Sequence, residues 1–224
     1  MIIHYLRAIF AVFRKEMQQE LQSRYAFNTV LAFVVAALLL ILYSLKAHQL
    51  GPLPKSGLVW LVILFAALAH LARTFISESE RLTYDLLRLH TPGWIVYLGK
   101  WLYNFSFTLV VNLLTFIAYL FLMQMQVVEW VSFATVILLG TASLTGIATI
   151  MAALVAQADR KGAIFSVIMI PLLMPLILIL VRITKISIVT GELSTALNDI
   201  AALTGYLGAT TTIGLLLFEY VWES

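Results

Sequence analysis

The stretch AFNTVLAFVVAALLLILYSL, Ala26 to Leu45, contains no charged residue. A backbone crossing hydrocarbon has to satisfy its own hydrogen bonds, which a helix of ~20 mostly apolar residues does. This run is therefore long enough to span a bilayer. Five more follow it: Leu58 to Phe75, Trp101 to Met123, Phe133 to Ala156, Ala163 to Val181 and Ile200 to Tyr220. Hydrophobic residues make up 62% of the 224, more apolar surface than one soluble domain of this length hides. The connectors are too short to fold as separate domains. The expected fold class is all-α: a polytopic membrane protein with six transmembrane helices in one domain, residues 26–224, preceded by a segment at 1–25.

Orientation is read from the basic residues. With a cytoplasmic amino terminus, Arg7, Arg14, Lys15, Arg24, Arg73, Arg81, Arg88, Lys100, Arg160 and Lys161 fall on the cytoplasmic side. Lys46, Lys55, Arg182 and Lys185 fall on the other. That bias fits the positive-inside rule and predicts that both termini are cytoplasmic. The net charge of +3 then reflects contact with an anionic leaflet. No basic stripe with interleaved aromatics points to nucleic acid. The first 25 residues lack a cleavable-leader pattern, and the expectation is that they are retained.

Segment 1–25 is itself patterned. Leu6, Ile9, Phe10, Phe13, Met17 and Leu21 recur at helical spacing, with Arg7, Arg14, Lys15, Gln18 and Gln22 on the other side. This predicts an amphipathic helix in the membrane interface, either a simple anchor or an elbow bracing the first span.

The connector from Ile76 to Lys100 is the most informative. Ser77 or Ser79 caps a short helix, Glu78 and Glu80 suit its first turn, and Pro92-Gly93 ends it. Leu82, Leu86 and Leu89 share a face with Leu87 beside them, while Glu78, Arg81, Asp85 and Arg88 are placed for charge pairing. A helix this short is marginal alone and needs a surface to dock on. Its apolar stripe and charged rim fit a groove on a cytoplasmic protein, or else pack on the chain's own bundle or on lipid.

Within the spans, Gly140, Thr141, Ala142, Ser143, Thr145, Gly146, Ala148 and Thr149 give the fourth run small side chains that permit close helix approach. Gly205, Gly208, Thr210, Thr211, Thr212 and Gly214 do the same in the sixth, for packing within the chain or between two copies. Pro171 and Pro175 each remove a backbone donor and are expected to kink the fifth run, as a hinge or as plain structure. Between the last two runs, Leu193, Ala196, Leu197 and Ile200, with Thr190 as cap and Glu192 in the first turn, predict a re-entrant or lateral interfacial helix.

Catalysis has no visible seat. The chain has no cysteine, its four histidines are far apart, and its acidic residues cluster outside the spans, so neither a catalytic triad nor a metal site is expected. Nor does any GxxxxGK[ST] phosphate loop occur, so ATP would have to be bound by another chain.

The order and spacing of several features resemble the haem exporter protein B family (CcmB), the permease subunit of the cytochrome c-maturation ABC transporter. One block runs from Phe75 through Glu78 and Glu80 to Leu86-Leu87, Pro92 and Gly99-Lys100. A second comprises Leu139-Gly140-Thr141, Gly146, Ala152-Ala153, Arg160-Lys161, Pro171 and Pro175. Where the family carries an acidic-Gly-Ser/Thr turn, this chain has Arg81-Leu82-Thr83, which makes the short helix more continuous.

The resemblance implies a division of labour. A cytoplasmic ABC ATPase docks on Glu78, Glu80, Arg81, Asp85, Leu86, Leu87 and Leu89 and hydrolyses the ATP, while this non-catalytic chain converts closure into movement. It further implies a homodimer in the bacterial inner membrane, working with other cytochrome c-maturation subunits and a haem chaperone. Haem is then a substrate of the complex, and no cofactor is held tightly by this chain. His48 is the one outward histidine and the candidate haem ligand, although loop histidines are usually just solvated; His70 reads better as hydrogen-bonded at the interface or internally, and Met123, Met125, Met169 and Met174 as packing. Two other functions stay open: a permease for another amphiphile such as a lipid or drug, and a non-transporting assembly scaffold.

Overall fold

A computed structural model of the chain describes residues 2–44, 49–71, 91–156 and 161–223. No strand occurs among the described residues, which form the long helices α1 (Ile2–Ser23), α2 (Tyr25–Ser44), α3 (Pro52–Leu71), α4 (Gly93–Leu122), α5 (Trp130–Ala156), α6 (Lys161–Val189) and α7 (Leu193–Glu223). The 6 from α2 to α7 are long and apolar enough to cross a membrane. Large apolar side chains such as Leu40, Ile117, Phe121, Leu178 and Leu216 stand exposed on them. In water such surface would drive association; against acyl chains it is the expected exterior.

The small-residue run makes α5 the centre of the bundle. Of its most apolar stretch 83% is buried, against 17% in α2 and in α7, and it packs on α3, α4, α6 and α7. Gly140 sits so close to its neighbours that a Cβ there would meet Leu180 of α6 at 2.5 Å and Trp60 of α3 at 3.2 Å. Trp60 in turn donates its indole N–H to Thr184 Oγ1 at 2.8 Å, tying α3 to α6. Edge-on contacts of Phe116 with Trp60 and with Phe133, at 5.5 and 5.2 Å between centroids, fill the space between α3, α4 and α5. At the end of the bundle far from α1, Tyr119 donates to Lys55 O at 2.8 Å and Lys55 Nζ to Met123 O at 3.2 Å. There Val128 and Glu129 N–H both donate to Ser187 O at 3.0 Å, and Gly191 takes a left-handed turn at φ 64° between α6 and α7.

Several expectations need correction. The second span begins at Pro52 rather than Leu58, because Pro52 and Pro54 occupy a first turn whose N–H groups need no partner. The third begins at Gly93 rather than Trp101, so the last eight residues of the 76–100 connector are membrane helix, with Pro92 as the N-cap. The lateral helix before the last span does not exist as a separate element. Residues 182–189 continue α6, and Leu193, Ala196, Leu197 and Ile200 are the first turns of α7. Thr190 is not its N-cap either: its hydroxyl donates back to Ile186 O at 3.2 Å. Glu192 lies before α7 rather than in its first turn.

Candidate functional site at the α1–α4 end of the bundle

The chain enters α4 directly after the segment expected to dock a partner, and the first turns of α4 are tied to two other helices. Pro92 sets the entry with extended backbone, φ −57° and ψ 144°, and its carbonyl accepts from Ile95 N–H at 3.1 Å. Two residues on, Trp94 meets Tyr5 of α1 edge-on at 5.2 Å. Gly99 is the seat of α1: a Cβ there would lie 2.6 Å from Val12 Cβ and 3.0 Å from the Ile9 carbonyl. Only hydrogen allows this approach. Beside it Lys100 Nζ donates to Glu16 Oε1 at 3.0 Å, with Lys100 fully buried and Glu16 7% exposed. A buried charge pair is strongly destabilised when one member is lost, so it fixes the register of α1 on α4.

On its other face α4 is laced to α5. Tyr97 donates its hydroxyl to Gly146 O at 3.3 Å, and Trp101 donates its indole N–H to Ala142 O at 3.2 Å. Asn104 Nδ2 donates to Thr149 Oγ1 at 2.9 Å, and two turns further Asn112 Nδ2 donates to Thr141 Oγ1 at 2.8 Å. The threonines serve both sides: Thr141 and Thr149 each donate their one proton to the carbonyl four residues back and accept the amide on a lone pair. Thr145 likewise donates to Thr141 O. Such interhelical bonds in a membrane are worth about 0.6 kcal/mol each on average. Their value lies in fixing α4 and α5 in one register.

A one-residue elbow joins α1 to α2. Arg24 is left-handed at φ 51°, a conformation that costs a non-glycine residue about 1–2 kcal/mol. It is held by Arg24 N–H donating to Glu20 O at 2.7 Å and by Glu20 Oε1 accepting from Phe27 N–H at 2.9 Å. Its apolar residues divide between two surroundings. Phe13 and Met17 pack on the core and Val12 is buried, whereas Leu6, Phe10 and Leu21 stay exposed.

Of the residues singled out from the sequence, Glu78, Glu80, Arg81, Asp85, Leu86, Leu87, Leu89 and His48 lie outside the described residues. Gly140 is at the α3–α5–α6 contact, and Gly146 faces Thr210 and Trp101, each 3.6 Å from where its Cβ would be. Pro171 and Pro175 are exposed within a helix that continues through both. His70 is 5% exposed, stacked on Phe107 at 3.7 Å and edge-on to Tyr103 at 5.7 Å, with no hydrogen bond to Nε2 among the described residues. At Nε2, among the described residues, ring packing stands where a hydrogen bond was expected. Met123 and Met169 are buried, while Met174 is exposed.

The residues that sequence reading missed are Glu16, Tyr97, Trp101, Asn104 and Asn112; Gly99 entered only through the family resemblance, without its role as the seat of α1. Three of them left a signal. Glu16 follows Val12 by four residues and Ile9 by seven, placing a carboxylate on the apolar face of α1. Asn104, Thr108, Asn112 and Thr115 recur on one face inside an otherwise apolar run.

The chain matches the family model described as CcmB protein over residues 7–218. No curated protein matches it.

Proposed function

The chain belongs to the CcmB family, a multi-pass membrane component of the haem-exporter system of cytochrome c maturation, and from that premise we propose that it is the mechanical relay of an ABC-type complex. A separate cytoplasmic ATPase docks on Glu78, Glu80, Arg81, Asp85, Leu86, Leu87 and Leu89, and its closure is passed through α4 to the rest of the bundle. The output is haem delivery to, or release of, a membrane-anchored haem chaperone. In this reading the subunit works as a homodimer in the bacterial inner membrane with both termini cytoplasmic.

The supporting observation is the commitment of the first turns of α4. Trp94, Gly99 and Lys100 engage α1, and Tyr97 and Trp101 engage α5, all within nine residues of Pro92. A displacement arriving at Pro92 has no slack to be lost in; it moves α1 and α5 with α4. The same geometry favours a relay over a haem conduit. His70 is enclosed by Phe107 and Tyr103 rather than open to a ligand, and an axial ligand must be reachable. Haem is then held by the partners.

The test is complex formation. The purified subunit alone hydrolyses no ATP, and co-expression with its ATPase gives a complex that Leu86→Asp dissociates without unfolding the membrane domain. Burying a lone carboxylate in an apolar groove is costly enough to do so. A Leu86→Asp complex that stays intact would place the docking surface elsewhere.

A further inference from the structure

Between α1 and α4, next to the seat at Gly99, runs an open groove of about 490 Å³ lined by Leu6, Ile9, Phe10 and Leu102, with Arg7 as its one charged residue among the described residues. Its volume is that of a small-molecule site, for which ~300–1,000 Å³ is usual. Leu6 and Phe10 are 60% and 58% exposed although they lie on the apolar side of α1, so the bundle leaves this wall uncovered. Water is a poor occupant for such a surface, and the groove lies in a chain whose neighbouring helices are long and apolar enough to span a membrane. The charge at the groove selects among amphiphiles. A guanidinium offers paired N–H donors matched to phosphate oxygens, and its attraction is greatest for a headgroup whose net charge is negative.

We propose that this groove holds one anionic glycerophospholipid, its phosphate on Arg7 and an acyl chain against Leu6, Ile9, Phe10 and Leu102. The lipid completes the packing of α1 on α4, so the seating of α1 depends on the charge of the lipid around it. The site is independent of the ATPase reading: it requires only that α1 lies at the membrane.

Native mass spectrometry of the full-length chain, released from micelles holding equal amounts of phosphatidylglycerol and phosphatidylcholine, tests this. The wild type retains phosphatidylglycerol in preference, by about tenfold for a charge-assisted contact worth about 1.4 kcal/mol. Arg7→Gln, a change at an exposed position, abolishes the preference while retaining lipid, and Arg7→Lys restores part of it. Leu102→Trp, which fills the groove, reduces the retention of both lipids. Excess inorganic phosphate displaces neither, because the acyl contacts hold them. Equal retention of the two lipids by the wild type, an unchanged preference in Arg7→Gln, or displacement by phosphate would each overturn the proposal. So would finding the groove closed by a second copy of the chain.

Discussion

Replacing Lys100 by Met probes the seat of α1 most sharply. Methionine nearly matches the lysine stem in volume, so repacking costs less than about 1.5 kcal/mol and the charge decides the outcome. Lys100 is fully buried, Glu16 is 7% exposed, and they meet at 3.0 Å. Removing the ammonium leaves the Glu16 carboxylate stranded, at about 3–5 kcal/mol. Lys15, 3.7 Å from Glu16 and a third exposed, offsets only part of that. Glu16→Leu should also destabilise the protein, by removing the carboxylate that Lys100 meets at 3.0 Å. The double variant should cost less than the sum of the singles by about 2 kcal/mol, inside the range of ~0.5–3 kcal/mol for residues in contact. The assay is unfolding of the purified chain in lipid nanodiscs for wild type, both singles and the double, with holocytochrome c yield measured in parallel. A Lys100→Met protein as stable as wild type, or strict additivity in the double, would refute a buried pair between α1 and α4.

Gly99→Ala should destabilise the protein by about 1–3 kcal/mol, the usual cost of overpacking, and loosen α1, read as increased proteolysis in α1. Glu129 caps α5, and hydrogen bonds from Ser132 and from the Val131 N–H hold its carboxyl below the usual carboxylate range. Because the folded value is the lower one, its stabilisation is present above about pH 4.3, the unfolded value, and is lost as pH falls through the folded value. The difference in thermal stability between wild type and Glu129→Ala should therefore shrink on acidification. Single cysteines at Gln126 and Ser194 should react with an impermeant thiol reagent from outside intact cells, while those at Ser79 and Gln157 should not. Labelling at Ser79 would reverse the orientation and remove the docking surface from the cytoplasm.

The six membrane helices were legible because a run such as 26–45 leaves the backbone no other way to satisfy itself in lipid. Their ends were less so. Trp94 to Leu98 is as apolar as a span, but Lys100 looked like a flanking cation and closed the run too early. The positive-inside count treats each charge by its place in the chain and cannot see that Lys100 has a carboxylate 84 residues away to pair with. Periodicity likewise located helix at Leu193 to Ile200 without showing that it continues unbroken into the last span. The small residues of α5 correctly marked a close-packed helix, yet which neighbour each serves depends on the tertiary arrangement: Gly140 admits Leu180, whereas Gly146 offers its carbonyl to Tyr97. Gly99 stood out only through the family resemblance, and nothing in the sequence around it announces that Val12 will sit on it.

Whether this subunit transmits movement without itself ligating haem is tested directly by holocytochrome c yield. The comparison is between Asp85→Lys in the docking segment and two histidine replacements, His48→Ala and His70→Phe, the latter keeping the ring stack on Phe107. A relay requires that Asp85→Lys lowers the yield severely while both histidine variants stay near wild type, with no stoichiometric haem in the isolated subunit. A subunit that purifies with one equivalent of haem, and loses both that haem and cytochrome maturation when either histidine is replaced, would contradict it.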